Sequence, residues 1–287
     1  MKWWRIGVGV MGLLLFFALI QLPDEKLHLI FCDVGQGDAS LITKGDFQML
    51  IDTGPKNGGV MECLSKHIPF WDRTLEVFVN THPQEDHLGD LAAVMNHYEI
   101  GEVVLSSETP AGKNTQSVYK MIESRKIKQV IARKGDRLRY GELYFDIIWP
   151  AESLRIQAGR PGEILGASND DNAGSLVLVM GFPGFSALFT GDIGIDQELA
   201  LDGAGVLTPV EVLKVAHHGS KYSSSVVFDE KVRPKWAVVS VGVKNSYGHP
   251  AAEILKRFDI LGSRILRTDQ NGEVEFVADG KSYFVYH

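Results

Sequence analysis

The chain has 287 residues, 45% of them hydrophobic and 23% charged, with no block of five like charges, which excludes a largely disordered protein and suits one catalytic-sized domain. A net charge of −7 excludes a protein that grips nucleic acid by bulk electrostatics alone, although acidic residues set against bound divalent cations would reverse the field locally. With only two cysteines, Cys32 and Cys63, a disulfide-scaffolded fold is excluded as well.

Residues 3–22 read WWRIGVGVMGLLLFFALIQL. The run is uncharged from Ile6 to Ile20, apolar all round, and with its flanks approaches the roughly 20 residues that cross a bilayer. Lys2 and Arg5 precede it and Asp24 and Glu25 follow it, so the positive-inside rule predicts a cytoplasmic amino terminus and a domain outside the cell membrane. No A-x-A-like site lies between Gln21 and Lys26, which favours a single-pass anchor over a cleaved signal and a secreted product. The chain divides into segment 1–23 and a domain over 24–287.

Short apolar runs at Leu27–Cys32, Ala39–Thr43 and Gln48–Asp52, broken by Gly35, Gly37 and Gly45-Asp46, predict a strand and a hairpin. Cys32 in the first run and Cys63 in a predicted helix read as two buried thiols, with a disulfide as the alternative if the domain is extracytoplasmic. Strand Leu75–Asn80 runs into His82, helix Leu88–Tyr98 follows, then strand Val103–Leu105 and helix Gln116–Lys126 capped by Thr115. Strands are predicted at Gln129–Ile131 and Leu143–Trp149. Residues 151–173 show no period, as a functional or mobile connection would. The second half repeats the rhythm, with strands at Ser175–Met180, Ala187–Thr190, Glu211–Ala216, Trp236–Val241, Ile265–Leu266, Glu273–Val277 and Tyr283–Val285, and helices at Ile195–Leu201, Ser224–Lys231 and Ala251–Phe258. Two such halves predict two sheets face to face with helices outside.

The strongest chemical signal is Thr81-His82-Pro83-Gln84-Glu85-Asp86-His87, at a strand end before a helix. Imidazoles and a carboxylate in one turn suit a divalent metal, and strand ends hold such side chains rigidly while leaving them open to a ligand. Four further polar clusters also end strands: Asp33–Asp38, Thr190–Asp192, His217–Ser220 and Tyr247–Pro250. One is easily a turn; five at one rim point to a metal site, and a buried carboxylate such as Asp192 needs a cation.

These motifs, DVGQGD at 33–38, LIDTG at 50–54, THPQEDH at 81–87, NAGSLVL at 172–178, TGD at 190–192, LKVAHHGSKYSSS at 213–225, NSYGHP at 245–250 and RTDQNG at 267–272, resemble the ComEC-type competence hydrolase domains of the metallo-β-lactamase superfamily, free of the channel portion. The resemblance implies an α/β fold, an αββα four-layer sandwich, with one or two divalent ions, Zn or Mn. It implies metal ligands at His82, Asp86, His87, Asp192 (bridging) and His249, and catalytic roles for Asp86, His217 and His218, either histidine serving as ligand or proton donor. Asp33, Asp38, Gln84, Asn172, Ser220 and Lys221 are secondary candidates around the site. Gln84 stands where this branch carries a carboxylate, which puts the first metal position in question, and Leu88-Gly89-Asp90 stands where a Gly-Gly pair begins the helix. The expected function is metal-assisted cleavage of DNA or another phosphodiester outside the membrane. The alternatives are a hydrolase of a small-molecule or cell-wall ester or amide, and a metal-binding domain whose catalysis is weakened or lost through Gln84.

Overall fold

A computed structural model of the chain describes residues 22–106, 113–150 and 171–287. The predicted anchor before Leu22 and most of the 151–173 connection lie outside the described residues. Among those described, no helix is long and apolar enough to cross a membrane.

Two sheets form the body. The first orders its eight strands β15 (Tyr283–Tyr286), β14 (Val274–Ala278), β1 (Leu27–Phe31), β2 (Ser40–Lys44), β3 (Phe47–Ile51), β4 (Thr74–Asn80), β5 (Glu99–Leu105) and β6 (Lys128–Ile131). The second runs β13 (Arg264–Arg267), β12 (Trp236–Val239), β11 (Val212–Lys214), β10 (Phe185–Phe189), β9 (Val177–Phe182), β8 (Leu143–Trp149) and β7 (Arg137–Tyr140). Helices α1 (Gly59–His67), α2 (Glu85–Leu88), α3 (Leu91–His97) and α4 (Lys113–Ser124) accompany the first sheet. Helices α5 (Ile195–Gly203), α6 (Val226–Val232), α7 (Ala252–Ile260) and α8 (Thr268–Asn271) follow in the second half.

The period of two explains the layers. Leu29 and Phe31 of β1 join Met49, Ile147, Leu178, Phe189 and Phe276 between the sheets. Ile30 and Cys32 point the other way, into a layer with Leu50, Val60, Leu64 and Leu91 from the helical side. On the opposite face Leu213 and Val239 pack with Phe228, Ile254 and Phe258. Strands covered on both faces read as continuous apolar runs, and each large buried side chain contributes about 1.5–3 kcal/mol.

This packing corrects the reading of the cysteines. The inward face of α1 carries Val60, Cys63 and Leu64, the i, i+3, i+4 spacing of one helix face, and lands on the outward face of β1. Cys32 and Cys63 meet there with Cα atoms 5.8 Å apart and form a disulfide, not two thiols. Two smaller corrections concern helices. Thr115 lies inside α4, which starts at Lys113, so it does not cap it. The helix expected over Leu88–Tyr98 is two, broken where Gly89 N donates to Gly54 O at 2.9 Å and leaves the helical ladder, while the Asp90 carboxylate accepts from Asn57 N (3.1 Å) and Gly58 N (2.5 Å).

On the far side, Glu198 of α5 accepts from Ser224 N and Ser225 N, pinning the segment before α6. Asp229 of α6 is buried beside it, with neither carboxylate oxygen hydrogen-bonded and Arg257 Nη1 3.7 Å away. Burial, then Glu198, push the Asp229 carboxyl up to about 8 against the pull of Arg257. A folded value above the ordinary 3.8 gives stability that is full at low pH and lost as pH rises toward 8. Asp229→Asn should therefore melt increasingly above the parent as pH rises from about 4 to about 8; a constant gap in scanning calorimetry would contradict this.

Candidate metal centre

Strand direction brings the polar motifs to one rim. β3, β4 and β5 are mutually parallel, and β1 shares their sense through the antiparallel β2. β10, β11, β12 and β13 are likewise parallel. The residues after β1, β3, β4, β10 and β11 therefore leave their sheets at matching ends. Leu176 N donating to Thr81 O at 2.8 Å, and Gly242 N to Gln36 Oε1 at 3.3 Å, tie the two rims together.

Asp38, His87, Asp192 and His218, all buried, converge so that one ligand atom from each lies within 4.8 Å of the others. His87 Nε2 is 3.4 Å from Asp192 Oδ1, and His218 Nε2 is 3.6 Å from Asp192 Oδ2 and 3.4 Å from Asp86 Oδ2. Each imidazole is aimed by its other nitrogen. His87 Nδ1 meets Asp52 Oδ2 at 2.8 Å, and His218 Nδ1 donates to Ser240 O at 2.9 Å. Asp52 is fixed in turn by Thr81 N (2.8 Å), Thr81 Oγ1 (2.6 Å) and Asn80 Nδ2 (3.1 Å).

Backbone geometry makes the convergence possible. At Gly37 a Cβ would lie 2.2 Å from Asp86 O, so only glycine lets the loop before Asp38 lie on the turn before His87, where Asp38 N donates to Asp86 O at 3.1 Å. His217 and His218 both adopt left-handed conformations, φ 51° and 54°, within the 3-10 segment Ala216–Gly219. Non-glycine residues held there cost of order 1–3 kcal/mol each, strain that collects at functional sites.

Carboxylates crowd the group. Asp38, Asp86 and Asp192 face one ammonium, Lys214, which contacts Asp38 Oδ2 and lies 3.8 Å from Asp192 Oδ1. Burial would raise the Asp38 and Asp192 carboxyls, yet the surrounding Lys214, His218 and His87 hold both below the ordinary value. Burial opposes charge on His218, but Asp192 and Asp38 raise it to about 9; Asp192 and Asp52 likewise hold His87 well above its usual range. Asp38 Oδ1, Asp192 Oδ1 and the Nε2 atoms of His82, His87 and His218 make no hydrogen bond. Such orphaned buried atoms are rare, and two imidazoles with two carboxylates form a mixed nitrogen–oxygen set that fits a divalent ion.

The remaining sequence candidates sort by position. Asp86 is half-buried at the edge of the group, its carboxyl lowered by His218 and His87 against burial. His82 packs on His87 with ring centroids 4.1 Å apart, and burial, then His87, lower it to about 3. His217 is at the mouth, its side chain 30% exposed and Nε2 3.9 Å from Asp192 Oδ2. His249 stands behind it at 5.6 Å between ring centroids, outside the four-residue group, with Nδ1 unpaired. Gln84 donates to Asn172 Oδ1 at 2.6 Å. Ser220 Oγ accepts from Tyr222 N, Lys221 is exposed over the Tyr222 ring, and Asp33, also exposed, accepts from Gly35 N. Asp52 and Lys214 were not candidates, though LIDTG and LKVAHHGS contain them. A carboxylate ending an apolar strand, and a lysine inside one, were the available signals.

Asp52→Asn should weaken divalent-ion affinity about 10- to 100-fold by freeing the His87 ring, the usual scale for residues that orient a ligand. Titration calorimetry at unchanged secondary structure reads this; unaltered affinity would contradict it.

The metallo-beta-lactamase superfamily model matches residues 32–243. ComE operon protein 3 of Bacillus subtilis is 27% identical over 290 residues, spanning 93% of this chain and 34% of that protein. Recombination protein 2 of Haemophilus influenzae is 29% identical, spanning 94% of this chain and 31% of that protein. The chain thus spans about a third of the length of these curated relatives. Among solved structures, the metallo-beta-lactamase fold protein YhfI of Bacillus subtilis superposes with a TM-score of 0.55 at 9% identity, covering 87% of this chain and 99% of that one.

Proposed function

The chain belongs to the metallo-β-lactamase superfamily, and we propose that within it the protein is a Zn- or Mn-dependent phosphodiesterase that cleaves DNA outside the cytoplasmic membrane. The observation that carries this reading is the buried Asp38, His87, Asp192 and His218 group, in a chain whose relatives include the competence protein ComA of Neisseria gonorrhoeae. Fold alone does not choose the substrate.

When bound, a divalent ion supplies Lewis acidity and makes water acidic enough to ionise near neutral pH. The four-residue group would hold it, with Asp52 and the Ser240 carbonyl orienting the two imidazoles. Asp86, its carboxyl held low and half-buried at the edge, would take a proton from an attacking water. His217, at the mouth, would return one to the leaving oxygen. Gln84 is outside the group, so the departure there leaves these four positions intact.

The Cys32–Cys63 disulfide supports an oxidising compartment, and the apolar run ahead of Leu22 supports a membrane anchor. Carbonate extraction tests the anchor, which complete release from membranes would refute. The activity is tested by assaying the purified full chain, in detergent, on single- and double-stranded DNA with Mn, Zn or Mg, after chelation and re-addition. Cleavage restored by the ion is expected. Hydrolysis of ester or amide substrates alone would overturn the phosphodiesterase reading.

A further inference from the structure

Two exposed tyrosines stand on the loops that flank the His217–His218 turn. Tyr247 is 71% exposed and stacks one ring face on His249, at 5.7 Å between centroids and 25° between planes. Tyr222 is 67% exposed, with Lys221 Nζ 5.0 Å from its ring centroid. Both loops are anchored to the His217–His218 turn. Ala251 N donates to Gly219 O at 2.8 Å, and a Cβ on Gly219 would lie 2.5 Å from Pro250 Cβ, so the two loops leave from touching backbones. Tyr222 is three residues beyond Gly219, and Tyr247 three before Pro250.

The charge of these two loops runs against that of the chain. Residues 216–227 and 240–252 contain Lys221 and Lys244, both exposed, and no Asp or Glu, in a protein of net charge −7. Aromatic faces interleaved with lysines are how proteins take an unpaired strand: rings stack on bases and ammoniums follow the phosphates. A base inside a duplex has both faces covered and offers nothing to such rings.

We propose that Tyr247 and Tyr222 form a base-stacking rim that seats unpaired nucleotides of single-stranded DNA beside the metal centre. This rests on the reading of that centre as a phosphodiesterase. Tyr247 offers a base the ring face opposite His249, and Lys221 and Lys244 hold the backbone on either side. Single strands are bound in preference to duplex, and phosphodiesters without bases gain nothing from the rim.

Binding of a labelled, phosphorothioate-protected oligothymidylate to the full, Mn-loaded chain tests this by fluorescence anisotropy, beside an abasic strand of equal length and a duplex. Tyr247→Ala is expected to raise Kd for oligothymidylate about tenfold, and Tyr222→Ala to raise it in the same direction. Tyr247→Phe should keep parental affinity, as should Tyr286→Ala, an exposed tyrosine on β15. The abasic strand should bind parent and Tyr247→Ala alike. Unchanged oligothymidylate binding in Tyr247→Ala, or an equal loss on the abasic strand, overturns the rim. A turnover assay on unprotected strands separates the two readings. Ring-dependent binding without metal-dependent cleavage overturns the phosphodiesterase and supports the rim; cleavage by a Tyr247→Ala chain with parental affinity overturns the rim alone.

Discussion

Asp192→Ala is expected to lower metal-dependent hydrolysis about 1000-fold, the several kcal/mol that a correctly held ion contributes to a transition state. Asp192 is the residue on which the centre converges, with His87, His217, His218 and Lys214 all within 4 Å of its carboxylate. Removing it takes away a ligand, the main charge that keeps the His87 and His218 rings protonated, and part of the charge that opposes Lys214. The side chain is 1% exposed, so the loss is not screened by water. Steady-state turnover at saturating ion is the measurement; activity within a few-fold of the parent would place the chemistry elsewhere.

Replacing both Cys32 and Cys63 by serine is expected to cost about 3–4 kcal/mol of stability, the loop-entropy scale for a crosslink that closes 31 residues. In a domain of this size that is a fall of about 10 °C in Tm. The effect should reach the centre as well. Cys32 N donates to Ala39 O at 3.0 Å, closing the neck of the loop that presents Asp38, and the disulfide clamps that neck to α1. Calorimetry with and without reductant checks both parts: the parent should lose the same stability on full reduction, and an unchanged Tm in the double variant would contradict the argument.

The rim of polar motifs was legible in the sequence because each ends an apolar run, and strand ends are read directly from where the run stops. What tertiary packing decides was not legible. Asp52 looks like a turn residue closing a strand; only the parallel pairing of β3 with β4, Ile51 opposite Val79, carries it beneath Thr81 and His87. Lys214 sits inside an apolar strand, and nothing local shows that it faces Asp38. The disulfide depended on which face of α1 lands on β1. Strand β7 has no apolar run to mark it, because Arg137-Leu-Arg-Tyr140 is polar, as suits a sheet edge whose Arg137 pairs with Asp146 on β8. Asp38, secondary in the sequence reading, is drawn into the centre by the close approach at Gly37.

The buried group suits a divalent metal, and its proton chemistry gives a direct reading of that site. The carboxylates raise His218 to about 9 and hold His87 well above its usual value, which favours the protonated form of both rings in the absence of an ion. An ion takes the same nitrogens in neutral form, so binding expels protons and strengthens as pH rises from about 6 toward 9. Titrating Mn or Zn into the chelator-stripped full chain at neutral pH, in two buffers of different ionisation heat, should show saturable binding of one or two ions with protons released. No saturable binding, or binding with no proton release, would contradict the account.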